Sequence, residues 1–223
     1  MRFFIGLFSY FLLVSCDGSK PDVPYHKRTH YPSYTDGSIY LSPEKTTNVT
    51  IKYKVKNLLY SFPVNKGVTR EIVSPNGDIL LSDGINKLSH VSWGAAPDIA
   101  KGIEPEVGFL VLGKESEEFL QKKLDELGFN AREISSIMYG RLVNNLKKNE
   151  YNFISFLGPE QVAAEFEIDP KPDSFLQVHV AHRPVRSEEI EQYRKRKTQH
   201  LKMFNRKGFA VLVYSYSSED LYL

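Results

Sequence analysis

Few residues in this 223-residue chain have types and spacings that could do chemistry. Cys16 is the sole cysteine, and one thiol can form neither an intramolecular disulfide nor a cysteine-rich zinc site. His179-Val180-Ala181-His182 is the nearest approach to a metal pair. Phe175 to Val180 reads as a strand, however, and strand residues three apart face opposite sides, so one ion could not use both imidazoles. His26 and His30 have helical spacing, but Pro24 and Pro32 bracket them. Asp78 and Asp83 fall in turn-like sequence, whereas a glycosidase needs two carboxylates converging on one bond. The chain has no Gly-x-Ser-x-Gly elbow, no Ser-x-x-Lys followed by the other penicillin-binding motifs and no phosphate-cradling glycine loop. The expectation is therefore no catalytic residue, no metal and no cofactor.

Two features point to contact instead. Between Arg186 and Lys207 lie eight Lys/Arg against Glu188, Glu189 and Glu191, with the acidic residues in front and the basic ones behind. That order suits a helix dipole by itself, and it also offers Arg194, Lys195, Arg196 and Lys197 as a face for anionic headgroups or envelope polymers. Trp93, the single tryptophan, precedes a Gly-Ala-Ala-Pro run and reads either as a recognition aromatic or as a core anchor.

The elements that must position these residues follow from periodicity. Val49, Ile51, Tyr53 and Val55 alternate with Thr50, Lys52 and Lys54, the period of a half-buried strand. Leu58 to Phe62 continues as a second strand, and Asn76-Gly77 between Ile72-Val73 and Ile79-Leu80-Leu81 predicts a hairpin. Leu88 to Trp93 and Val107 to Leu112 complete an antiparallel front half. Phe119, Leu120, Leu124 and Leu127 then share a helical face that stops at Gly128, and Asn130 with Glu133 forms a capping box. The second helix carries Ile134, Ile137, Met138, Leu142 and Leu146 as one stripe. Strands return at Tyr151 to Leu157, Val162 to Ile168 and Ser174 to Val180. A charged helix over 188–207 and a closing strand from Phe209 to Tyr216 finish the chain. The fold class is α+β, a largely antiparallel sheet with a helical hairpin packed on it and a charged C-terminal helix before the closing strand.

The amino end supplies the address. Met1-Arg2 leads an apolar block from Phe3 to Leu12 and then Leu13-Val14-Ser15-Cys16. This pattern resembles a bacterial lipoprotein signal, and it is too short for a transmembrane helix, which needs about 20 residues. The resemblance implies cleavage before Cys16, diacylglycerol on its thiol and acylation of the new amino terminus. Two or three acyl chains hold stably where one holds marginally. Asp17 resembles the inner-membrane retention signal of enteric-type bacteria. The resemblance therefore implies a signal peptide over 1–15 and a lipidated, proline-broken tether over 16–48 with Tyr25, Tyr31, Tyr34 and Tyr40, and the expectation for 49–223 is one α+β domain. Removing 1–15 takes one basic residue, Arg2, and no acidic one. The chain goes from 29 basic and 27 acidic residues to 28 and 27, a net +1 that recruits no nucleic acid.

A second resemblance runs from Leu127-Gly128-Phe129-Asn130, with Glu133 and Tyr139, through Tyr151-Asn152-Phe153-Ile154-Ser155-Phe156 to Pro172-Asp173-Ser174. It is similar to a segment of exported bacterial proteins of unassigned function and adds to the envelope expectation alone. The expected function is a non-enzymatic, lipid-anchored binding or structural module on the periplasmic or extracellular face. It would meet the membrane through Cys16 and an envelope protein or anionic surface through its domain. The alternative is a hydrolase of envelope polymers with a dispersed active site.

Overall fold

A computed structural model describes residues 35–63, 67–96, 105–148 and 150–217. Cys16, Asp17, His26, His30 and the tether tyrosines Tyr25, Tyr31 and Tyr34 lie outside the described residues. The first described element, β1 (Thr35–Ser42), corrects the expected tether. Residues 35–42 form an inner strand between β7 (Val91–Ala95) and β13 (Ala210–Ser217). The segment looked polar because Asp36, Gly37 and Ser38 dilute it. Its apolar half, Ile39 to Leu41, is nevertheless wholly buried.

The domain is built in three layers around an eight-stranded sheet. The other strands of that sheet are β3 (Leu58–Phe62), β8 (Val107–Leu112), β9 (Tyr151–Leu157), β11 (Ser174–Val185) and the two-residue β12 (Lys197–Thr198). Their order is β12-β8-β9-β11-β13-β1-β7-β3. A second, five-stranded sheet contains β2 (Thr47–Val55), β4 (Val68–Val73), β5 (Ile79–Leu80), β6 (Lys87–Leu88) and β10 (Ala164–Asp169), ordered β10-β2-β4-β5-β6. Pairing is antiparallel except for β11 with β13 and β12 with β8. Alternation assigns each face of the large sheet to a different core. Ile39, Leu41, Val211 and Val213 pack with Val49, Ile51 and Val73 of the second sheet. Tyr40, Leu212, Tyr214 and Tyr216 pack under the helices.

Local signals explain most elements. Gly77 turns the β4–β5 connection at φ +82°, while Asn76 stays outside the left-handed region, so the loop is not the two-residue type that Asn-Gly favours. Helix α1 (Ser116–Glu126) ends before Gly128, which takes φ +91°. Helix α2 (Ala131–Met138) begins at Asn130, whose side chain accepts from the Glu133 backbone while Glu133 accepts from the Asn130 N–H. The expected single helix to Leu146 is broken at Tyr139-Gly140, and α3 (Arg141–Asn145) restarts with Gly140 as its N-cap.

The charged helix over 188–207 is also corrected. Its helical part is α4 (Ile190–Arg194), after a 3-10 turn at 187–189, and the chain then runs through β12 into irregular backbone. Ordered charge could not replace the missing apolar stripe. Leu201 and Phe204 join the helix-side core instead. Arg206 donates to Glu133 Oε1 at 2.9 Å, to Glu133 Oε2, and to the Gly128 carbonyl at 3.0 Å. It thereby locks both ends of the α1–α2 turn against the crossover that joins β11 to the parallel β13.

The Glu133 side chain is 5% exposed, so losing its partner strands a carboxylate. Replacing Arg206 by Met is expected to destabilise the domain by about 3–5 kcal/mol in urea unfolding. A neutral pair, Arg206→Met with Glu133→Gln, should recover part of that loss.

Candidate functional site

The residues able to do chemistry are largely committed to partners inside the domain. His179 on β11 is wholly buried, with Nδ1 2.9 Å from Ser215 Oγ and Nε2 2.7 Å from Ser217 Oγ, both on β13. A serine hydroxyl against an imidazole is the contact that activates a nucleophile. Here Ser215 and Ser217 are 2% and 0% exposed, so no substrate reaches them. His182 lies elsewhere, beside Phe153, Tyr193 and Arg196, around a void of only about 10 Å3. Among the described residues no group of three or more His, Cys, Asp or Glu is placed to hold a metal ion. No helix among them is long and apolar enough to cross a membrane.

The turn carboxylates behave as acceptors. Asp78 accepts from Arg132 Nη2 at 2.7 Å and from Asn76 Nδ2 at 3.1 Å, and the Arg132 hydrogen bond holds its carboxyl below the usual range. Asp83 accepts the backbone N–H groups of Ile85 and Asn86, which lower it likewise. Neither is raised as a general acid would be. Trp93 is a core anchor: it is wholly buried, edge-on to Phe166 at 5.2 Å. A Cβ at Gly37 would come within 2.3 Å of its indole, so the bare backbone of β1 supplies its seat.

The basic segment is only partly a surface. Arg194 pairs with Glu191 at 2.5 Å. Arg196 stacks 4.0 Å from the Tyr193 ring centroid and donates to the Pro105 carbonyl at 2.6 Å. Lys195 and Lys197 are exposed. The four expected contact residues therefore offer two lysines and a paired Arg194 outward, while Arg196 holds the β8 side of the domain together.

Two grooves on the surface of the described residues are wide enough to receive another chain. A shallow groove of about 820 Å3 runs between α1 and α2, rimmed by Glu117, Glu118 and Asp125 with Lys122, and ending at Met138 and Tyr139. A second, of about 450 Å3, follows β8 past Phe109, Leu110, Leu112, Glu115, Phe119 and Tyr151. Sequence reasoning found β8 as a strand but missed its groove. Alternation shows that a strand exists, and strand order alone shows that it lies near a sheet edge.

A half-buried polar cluster closes the helix-side face. The His90 Nδ1 is 2.9 Å from Ser89 Oγ, and its ring lies 5.4 Å from that of Tyr40. Burial, and then the Arg132 charge, push His90 below its ordinary pKa. As pH falls below about 6.5, the unfolded chain takes up a proton at this position while the folded chain resists it, so stability is lost across that window. The urea midpoint should therefore drop further between pH 7.5 and pH 5.5 in the parent chain than in His90→Gln, at about the pH values that bracket histidine titration. Equal drops would remove His90 from the account. Comparison with protein families, with curated proteins and with solved structures finds no match to this chain.

Proposed function

We propose that the chain is a bacterial lipoprotein, held at the envelope by acylated Cys16, whose α+β domain is a binding module and not an enzyme. The signal-like Leu13-Val14-Ser15-Cys16 after a short apolar block supports the anchor. One observation carries the binding reading. The serine-histidine contact that could serve hydrolysis is sealed between β11 and β13, while the outward features are a groove, a strand edge and two lysines. Exposed edges and grooves recognise other chains, whereas buried imidazoles stabilise. We read α1 and α2 as a helical hairpin lying on the large sheet, with Arg206 tying its turn to the crossover, so that the groove between them keeps its shape. Lys195 and Lys197 add local positive charge of the kind attracted to anionic headgroups, at about 1 kcal/mol per residue near a surface.

Labelled palmitate supplied to cells expressing the full chain tests the anchor. The parent chain should take up label and sediment with membranes, and Cys16→Ser should do neither. A parent chain that stays soluble and unlabelled would refute the lipoprotein assignment.

A further inference from the structure

We infer that the outer edge of β8 is a docking site for an extended peptide segment of a partner chain, added as a further antiparallel strand of the large sheet. The inference deepens the binding-module reading and rests on it.

Hydrogen-bond polarity defines the site. Gly113 N–H donates to the Glu150 carbonyl at 2.6 Å, and the register pairs Phe109 with Ile154 and Val111 with Asn152. In an antiparallel ladder the bonded pairs alternate, so residues 109 and 111 address β9 while Gly108, Leu110 and Leu112 turn their backbone groups outward. On that outward side β12 is in register with Val107 and Gly108 only. Among the described residues no strand pairs with the outer side of Phe109 to Leu112. The chain leaves this line at Gln199, whose side-chain amide instead brackets the backbone of Phe156, accepting from its N–H at 2.9 Å and donating to its carbonyl at 2.5 Å.

Among the described residues the other edges are guarded and this one is not. β10 carries Glu165, Glu167 and Asp169, β6 has two residues, and β3 shifts register between Leu58 and Tyr60 and runs into Pro63. Charge, shortness, irregularity and proline are the devices that stop a free edge from pairing. Val107-Gly108-Phe109-Leu110-Val111-Leu112 contains no charge and no proline. The groove of about 450 Å3 beside it, with Phe109, Phe119 and Tyr151 partly buried in its walls, gives alternate side chains of an incoming strand somewhere to go.

Charge sets the direction. Glu115 lines the groove at the Leu112 end, and exposed Lys197 sits at the Val107 end. A segment with a basic side chain at its amino end and an acidic one at its carboxyl end, running antiparallel to β8, puts the first near Glu115 and the second near Lys197. The space favours a short segment over a second copy of the domain. The open stretch is bounded by β12 at Gly108 and by the 3-10 turn at Gly113, and it spans roughly 13 Å at about 3.3 Å per residue. A second β8 would bring its own β12 into that turn.

The test uses the purified full chain and a fluorescein-labelled peptide, Lys-Thr-Val-Leu-Val-Thr-Asp. Saturable anisotropy and slowed amide exchange at Leu110 and Leu112 are the expected result. Leu110→Pro removes an outward N–H and leaves the ladder to β9 intact, so it should weaken binding about tenfold. The same peptide N-methylated at its central leucine should bind worse to the parent chain by a similar factor, a comparison that does not depend on the variant folding. No saturation near about 1 mM peptide would overturn the site. So would equal binding of the N-methylated peptide, protection confined to β3, or concentration-dependent dimerisation that alone protects Leu110. Because the titration is made on purified protein, its failure is separate from a failure of lipid labelling at Cys16.

Discussion

The strands β13 and β1 lie side by side in the large sheet and must satisfy two cores at once, and the rest of the domain is arranged around that demand. Val211, Val213, Ile39 and Leu41 face the five-stranded sheet, while Leu212, Tyr214, Tyr216 and Tyr40 face the helices. A slip of one residue would exchange these sets, placing tyrosine rings between sheets and leaving short valines under the helices. Register is therefore fixed from both sides. The residues that break the apolar pattern fit the same constraint: Gly37 leaves room for the Trp93 indole, and Ser215 and Ser217 meet both nitrogens of His179. A buried imidazole with both nitrogens bonded costs little, whereas the same ring without partners would cost about 1–3 kcal/mol.

Long polar side chains tie the layers together. Glu133 caps α2 and holds Arg206, and Arg206 also holds the carbonyl at which the α1–α2 turn reverses. Phe204 N–H adds a bond to the Leu127 carbonyl, and Gly128 comes so close to the Phe204 carbonyl that a Cβ there would lie at 2.7 Å. The crossover from β11 to β13 is thus fastened to the helices along several residues. Basic residues that look like a single surface in sequence are divided by this geometry. Arg196 and Arg206 are consumed in packing, Arg194 is paired with Glu191, and Lys195 and Lys197 remain outward.

The same division bears on function. Stacking of Arg196 on Tyr193 and its bond to Pro105 steady the start of β8 and, through β12, the beginning of the sheet edge. A strand whose backbone is held at one end by β12 and at the other by the turn at Gly113 is ordered before any partner arrives. Preordering of this kind lowers the entropic cost of association.

Signals carried within a few residues were legible from the sequence. The alternation of β2, the helix stop at Gly128 and the Asn130–Glu133 capping box each depend on neighbours no more than a turn apart. That the chain has one thiol was equally plain. Tertiary structure alone decided what depends on distant partners. It made residues 35–42 an inner strand, because β7 and β13 flank them and bury what composition made look like tether. It paired β11 in parallel with β13 and shortened the charged helix, because Leu201 and Phe204 gain more under the helices than on a helix face. It joined Arg196 to Pro105 and Arg206 to Glu133 across separations of 91 and 73 residues, and among the described residues it left the outer side of Phe109 to Leu112 without a strand partner. Local sequence fixes backbone preference over a few residues, and only the packed fold decides which distant groups meet and which remain available.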